Sequence, residues 1–285
     1  MRQTTKRYPE LAAFELLRTA DAVLWARKGS EFIGPLERFD PPSGLRRGVG
    51  AEVELLPGKR VFVKHYVHGG VLSRLFGPRY LAIGRFVREL AAYERLRAHG
   101  LRVPTPIALL ARRKGLFWTG VYLFTGPIPG LRPLEAFLRG ERGALRRRIL
   151  HRAGAVLRVM HEAGVVHPDL TVQNVQVDSA GRIVLLDFDR CRFSRSPIRR
   201  YHNLFRFHRS ARKRRLWSNA QSERRDIAAF FAGYSAGKHK PAPFWAAAFA
   251  AYRLWEGLHA CFWRKAEDHA ESVGLSYNAE RSPKH

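Results

Sequence analysis

Residues 167–189 constrain this chain more than any other stretch. They place Asp169, then Asn174 five positions later, then Asp187 at the end of the apolar run Ile183-Val184-Leu185-Leu186. Val175-Gln176-Val177 and that apolar run flank Asp178-Ser179-Ala180-Gly181, which predicts a short hairpin. The hairpin returns Asn174 and Asp187 to one edge, so the fold must present this loop and this hairpin together. An aspartate, an amide and a second hard carboxylate in this order suit two tasks: orienting a hydroxyl, and holding magnesium beside phosphates. Taken singly, each residue is more often a turn cap. In order around one hairpin, they favour the chemical reading.

The surrounding pattern divides into two halves. Leu11, Phe14, Leu17, Leu24 and Trp25 recur at roughly helical spacing and predict a helix within residues 9–28, ended by Pro41-Pro42-Ser43-Gly44. Residues 50–56 and 60–66 read as two strands joined by Pro57-Gly58-Lys59. Residues 84–99 read as a helix closed by Gly100, with Phe86, Glu89, Tyr93 and Leu96 on one stripe. Residues 107–110 and 117–124 are further strand candidates, and Gly126, Pro127, Pro129 and Gly130 read as a linker. Residues 144–161 predict a long helix with Leu145, Ile149, Ala153, Val156 and Met160 facing inward, and Arg146, Arg147 and Arg152 directed elsewhere. Beyond Tyr201 the chain reads as helical, and no internal repeat is evident. The resulting expectation is an α+β, two-lobed chain. Residues 1–30 form an N-terminal helical extension, 31–125 a small β-rich lobe with one main helix, and 126–285 a mainly helical lobe with a C-terminal helical extension.

Lys64 lies in Val61-Phe62-Val63-Lys64-His65-Tyr66, where apolar neighbours make an unpaired ammonium costly. Glu89, a carboxylate on the inward stripe of the next helix, is the expected partner, with Glu94 second. The competing reading is an edge-strand lysine facing water. Gly48-Val49-Gly50 ahead of the first strand could cover phosphates through backbone amides, although Val53 stands where a third glycine is usual. His167 reads as a brace for the loop rather than a base. Cys191 and Cys261 form no disulfide framework, which points to a reducing compartment. No secretion signal is expected at the N-terminus, and the apolar segment 243–263 is broken by Arg253 and Glu256, so no spanning helix is expected.

Charge is the outlier: 51 Lys and Arg against 24 Asp and Glu, a net +27. Such a surface attracts polyanions, while the plainer reading is compositional bias that aids solubility. Arg199, Arg200, Arg206, Arg209 and the run Arg212-Lys213-Arg214-Arg215 form the densest tract, suited to lipid headgroups or to the phosphates and carboxylates of an acceptor, or else a solvated helix face. The aromatic segment with Phe244, Trp245, Phe249, Tyr252, Trp255, Phe262 and Trp263 suits contact with a membrane interface, but reads more readily as core of the helical half.

Specific segments carry a family resemblance. They are Lys64-His65-Tyr66-Val67-His68-Gly69-Gly70, Leu75, Arg79-Tyr80, Arg88-Glu89, Gly100-Leu101-Arg102-Val103-Pro104-Thr105-Pro106, His167-Pro168-Asp169-Leu170 and Asp187-Phe188-Asp189-Arg190. Over roughly residues 43–210 the chain resembles the protein-kinase-like superfamily. Within it, the chain resembles the bacterial lipopolysaccharide kinases, with the 3-deoxy-D-manno-octulosonic acid (Kdo) kinases as the nearest branch. The resemblance implies a protein-kinase-like fold and ATP- and Mg2+-dependent phosphorylation of a sugar hydroxyl on a lipid A-linked saccharide, most simply Kdo. It also implies a peripheral place at the cytoplasmic face of the bacterial inner membrane. It gives Asp169 the catalytic role, Asn174 and Asp187 the metal, and Lys64 and Glu89 the nucleotide. The glycine loop with Gly48 and Gly50, read from the residues as a further nucleotide contact, departs from the family pattern. Pro168 stands where regulated protein kinases carry an arginine, so no activation-loop phosphorylation is expected. An anionic membrane surface is the expected further partner, with no nucleic acid and no obligate protein. A heptose kinase or other small-molecule kinase shares these parts, and a pseudokinase scaffold on anionic lipid or RNA would need none of them together.

Overall fold

The computed structural model describes residues 6–42, 50–66, 83–114 and 117–235. The first lobe is one antiparallel sheet of six strands: β1 (Phe14–Arg18), β2 (Ala22–Arg27), β3 (Gly50–Leu56), β4 (Lys59–His65), β5 (Pro106–Lys114) and β6 (Phe117–Thr125). Their spatial order is β1-β2-β5-β6-β4-β3. The short helix α1 (Ile33–Glu37) and the residues after it plug one face, where Leu36 and Phe39 meet Val61, Val63 and Phe124 in a buried apolar cluster. The Phe39 and Phe124 rings pack edge to face at 4.9 Å, a preferred aromatic geometry.

The N-terminal segment corrects the sequence-based expectation. Residues 9–28 are not a helical extension; a 3-10 turn, Pro9–Ala13, leads into β1 and β2. The turn between these strands is built by side chains: the Ala22 amide donates to Thr19 Oγ1 at 3.0 Å, and the Thr19 hydroxyl donates to Asp21 Oδ1 at 2.9 Å. β2 then pairs with β5, Trp25 opposite Leu109, so the segment completes the sheet instead of leaving the β5 edge bare. The first lobe therefore begins near Phe14, not at residue 31.

Helix α2 (Gly84–Ala98) lies where the sequence places it, with Phe86, Glu89, Tyr93 and Leu96 all buried. Two ion pairs tie the N-terminal segment to it. Arg95 Nε donates to Glu10 at 2.5 Å, and Arg27 pairs with Glu94.

The second lobe holds α3 (Leu134–Gly140), α4 (Gly143–Glu162), α5 (Pro197–Lys213) and α6 (Ala220–Ser235). Strand β7 (Arg132–Pro133) precedes α3, and β8 (Val165–Val166) follows α4. The predicted hairpin is present as β9 (Val175–Val177) and β10 (Ile183–Leu185), which pair antiparallel and are joined by β7 on the open side of β9. β11 (Arg192–Phe193) pairs with β8. In α4, Ile149, Ala153 and Met160 are buried as expected, and Val156 is half-buried. Leu145 is instead 43% exposed and Arg146 is buried, the reverse of the expectation from the sequence. The reason lies in α6, which packs so closely that a Cβ on Gly154 would fall 2.0 Å from the Phe230 carbonyl oxygen, and which brings Asp226 to Arg146. The C-terminal extension, including the aromatic segment from Phe244 to Trp263, lies outside the described residues.

Candidate active site

Lys64 sits near the end of β4, paired across the sheet with Gly50 on one side and Leu123 on the other. Its Nζ donates to Asp187 Oδ1 at 2.5 Å and lies 3.4 Å from Glu89 Oε1 and 4.7 Å from the centre of the Tyr66 ring. Burial alone would lower the lysine pKa, but the Glu89 and Asp187 carboxylates outweigh it and hold the ammonium above its usual value. The converse holds at Asp187: burial disfavours its charge, Lys64 more than compensates, and its pKa is lowered. Glu89 is fully buried, and desolvation pushes its pKa up to about 7 against the pull of Lys64. The buried Tyr66 hydroxyl, like Lys64, stabilises the ionised form without offsetting that desolvation. The pair expected from the sequence is therefore present, but Asp187 is the closer partner. Glu94, the second choice, serves Arg27 instead.

Asp187 reaches Lys64 through a left-handed backbone, φ +61, a conformation uncommon for a residue with a side chain and concentrated at functional sites. Its amide donates to the Tyr93 hydroxyl at 3.2 Å. The next residue, Phe188, is fully buried against the Tyr93 and His167 rings, 5.2 and 4.9 Å away.

The loop after β8 is braced from two directions. His167 accepts the Asp169 amide at Nδ1 (3.2 Å) and donates from Nε2 to the Leu186 carbonyl (3.0 Å), bonds that define a neutral ring. Burial lowers its pKa in agreement. As a brace between loop and hairpin, His167 does what the sequence suggested. Asn203 on α5, which sequence reasoning missed, clamps the His167 backbone. Its Oδ1 accepts the amide and its Nδ2 donates to the carbonyl, both at 2.8 Å. The same Oδ1 lies 3.2 Å from His161 Nε2, and His161 Nδ1 lies 2.8 Å from the Tyr234 hydroxyl. Burial pushes the His161 pKa down to about 4. An asparagine among arginines carries no sequence signal for this role.

Asn174 donates Nδ2 to the Asp169 carbonyl at 2.8 Å, leaving its amide oxygen as an acceptor. The Leu186 amide donates to the Asn174 carbonyl at 2.9 Å, which brings the two metal-ligand candidates to the same end of the hairpin. Both Asn174 and Asp187 line a cavity of about 370 Å3 that also receives Gly50, Lys64, Pro127 and Gln173. Two hard oxygen donors on one cavity wall suit a magnesium ion that takes its remaining ligands from water and phosphate. Gly50 meets the cavity at the start of β3, where a Cβ would lie 2.0 Å from Phe62 Cζ, so the ring fills the space of a side chain. Gly48 lies outside the described residues. Asp169 itself is open: its side chain is 65% exposed, with Arg206 Nη1 from α5 at 3.4 Å.

A sheet lobe that aims a charged lysine at a hairpin aspartate, above a loop with an exposed aspartate, has the parts required for phosphoryl transfer. The chain belongs to the Lipopolysaccharide kinase (Kdo/WaaP) family, which it matches over residues 43–234, well over half its length. It is therefore a kinase by family. The 3-deoxy-D-manno-octulosonic acid kinase of Vibrio vulnificus (strain YJ016) is 30% identical over 183 residues, covering 63% of this chain and 76% of the relative. The enzyme of the same name from Xylella fastidiosa (strain M23) is 32% identical over 197 residues, covering 67% and 77%. A solved glucosamine kinase (crystal form B) aligns with a TM-score of 0.45 at 14% identity, covering 80% of this chain and 72% of that one.

Proposed function

We propose that this protein transfers the γ-phosphoryl group of ATP to a hydroxyl of Kdo in the lipid A-linked inner core of lipopolysaccharide. The observation that carries this reading is Lys64, held charged between Glu89 and Asp187 on the cavity wall, with the exposed Asp169 tied to the same cavity through Asn174. The cavity receives the nucleotide, with Lys64 drawing in the phosphates and the Gly126–Pro127 backbone beside the base. Asn174 and Asp187 would hold Mg2+, which would supply neutralisation of charge on the phosphate oxygens. Asp169 accepts the hydrogen bond of the acceptor hydroxyl and takes its proton as the new O–P bond forms. The bond from the γ-phosphorus to the bridging oxygen breaks, and ADP leaves with that electron pair. His167, Asn203 and Asn174 hold the loop so that this carboxylate is in place beforehand.

Arg206 supports an acidic acceptor. It is 55% exposed and reaches Asp169, so a sugar carboxylate arriving with its hydroxyl at Asp169 would meet a guanidinium beside it. The net charge of +27 and the arginines along α5 support a peripheral place at the anionic, cytoplasmic face of the bacterial inner membrane. Among the described residues no helix is long and apolar enough to cross a membrane.

The test is transfer of labelled γ-phosphate from Mg-ATP to Kdo-lipid A, run beside heptosylated acceptors. Transfer to Kdo-lipid A is expected. Transfer only to heptosylated acceptors would move the assignment to a heptose kinase, and absence of both transfer and nucleotide binding would end the kinase reading.

A further inference from the structure

A second cavity, of about 470 Å3, opens on the helical lobe away from the Lys64 site, where α3, the start of α4 and the start of α6 converge. Six arginines line it: Arg139, Arg142, Arg146, Arg147, Arg215 and Arg225. One carboxylate, Asp226, lies among them, and it is already engaged. Its Oδ2 accepts from Arg146 Nε (2.8 Å), Arg146 Nη2 (2.6 Å) and Trp217 Nε1 (2.8 Å). Arg146 is buried, and its remaining donors go to the Leu138 and Leu216 carbonyls. Arg139 is held by Glu135 at 3.1 Å and by the Arg214 carbonyl at 2.6 Å. Among the described residues, Arg142, Arg147, Arg215 and Arg225 have no carboxylate within 4 Å, and all four are exposed.

Gathering unneutralised guanidinium groups around one concavity costs stability through mutual repulsion unless an anion offsets it. The backbone adds to the same field. Arg142 caps α4 with no side-chain bond, the first turn of this 20-residue helix holds no acidic residue, and Gly143 at its start lines the cavity. The free amides and the positive end of the helix dipole therefore face the same space. Ser218 and Ser222 contribute hydroxyls.

We propose that this cavity is a binding site for a phosphomonoester or diphosphate group, distinct from the nucleotide cleft. Planar guanidinium forks and helix amides match phosphate oxygens, and the volume falls in the range of small-ligand sites. Helix α5 links the two sites: Arg206 stands beside Asp169, and Lys213, about 10 Å further along at 1.5 Å per residue, precedes the lining residue Arg215. An acceptor at Asp169 could thus place a distant phosphate here, a consequence that rests on the kinase reading. The anion site itself does not rest on it.

The experiment titrates the full chain, its nucleotide cleft saturated with Mg-ADP, with inorganic pyrophosphate by calorimetry, and in parallel with phosphatidylcholine vesicles with and without phosphatidic acid. The triple variant R142Q/R147Q/R225Q leaves the buried Arg146–Asp226 pair intact, and R38Q/R60Q/R97Q removes the same charge from other exposed positions. In the cavity variant, at least one arm should weaken by about tenfold or more, with little change in the control variant and none in Mg-ADP affinity. Loss confined to pyrophosphate assigns a soluble phosphate, and loss of phosphatidic acid-dependent vesicle binding assigns a lipid phosphate. Equal loss in both variants, or no loss in either arm, overturns the site.

Discussion

Arg146–Asp226 and Arg206–Asp169 join the same two side-chain types within one lobe, yet their settings are opposite. Arg146 and Asp226 are 9% and 7% exposed and share two short hydrogen bonds, with Trp217 and two backbone carbonyls completing the set. Arg206 and Asp169 are 55% and 65% exposed and meet at 3.4 Å through one contact. A buried, fully bonded pair is costly to break because the surviving charge has nowhere to go. An exposed pair exchanges freely with water and is worth little. The first pair holds helices together; the second leaves both groups ready for a ligand.

The largest expected effect tests the exposed pair. Asp169→Ala should lower turnover by about 10²–10⁴-fold while leaving nucleotide affinity and the unfolding midpoint nearly unchanged. Full activity in this variant would show that another group receives the proton. On the buried side, Asp226→Ala should cost about 3–5 kcal/mol in urea unfolding, because Arg146 loses its counter-charge in a desolvated site. A loss below about 1 kcal/mol would place the two pairs in the same class after all.

Glu89 sharpens the comparison as a fully buried carboxylate whose partners, Lys64 and the Tyr66 hydroxyl, do not offset its desolvation. Its folded pKa of about 7 lies above the ordinary 4.5, so across that window the folded chain holds a proton that the unfolded chain releases. Its contribution therefore favours folding at low pH and is lost as pH rises from about 4.5 through 7. The difference in stability between Glu89→Gln and the parent should change by on the order of a few kcal/mol between pH 4.5 and 8, the glutamine variant gaining relative to the parent. A pH-independent difference would mean that Lys64 keeps Glu89 ionised throughout. The smallest effect on stability belongs to Arg206→Gln, expected within about 1 kcal/mol, with a raised KM for the acceptor and an unchanged KM for ATP. An unaltered acceptor KM would remove Arg206 from acceptor binding.

Much of the site was legible because its chemistry is local. Asp169, Asn174 and Asp187 are spaced around one hairpin, and the turn at residues 178–181 brings the hairpin strands together through short-range pairing. Lys64 and Glu89 could be matched across 25 positions because each was an ionic group on an otherwise apolar face. The contact from Lys64 to Asp187 spans 123 positions and had no such signal, since it requires both lobes to be in place. Asn203 was hidden for a similar reason: its role depends on the loop backbone that it meets.

The amino-acid order by itself determined the two-lobed α+β plan, the helix from Gly84 to Ala98, the hairpin and the residue types of the site. In each case apolar periodicity and turn residues act over a few neighbours. Tertiary structure alone decided that Phe14–Arg18 and Ala22–Arg27 are strands, because pairing of β2 with β5 outweighs a spacing that also fits a helix. It likewise decided that Arg146 is core and Leu145 surface. A helix presents whichever face its partner can satisfy, and α6 offers a carboxylate to the arginine.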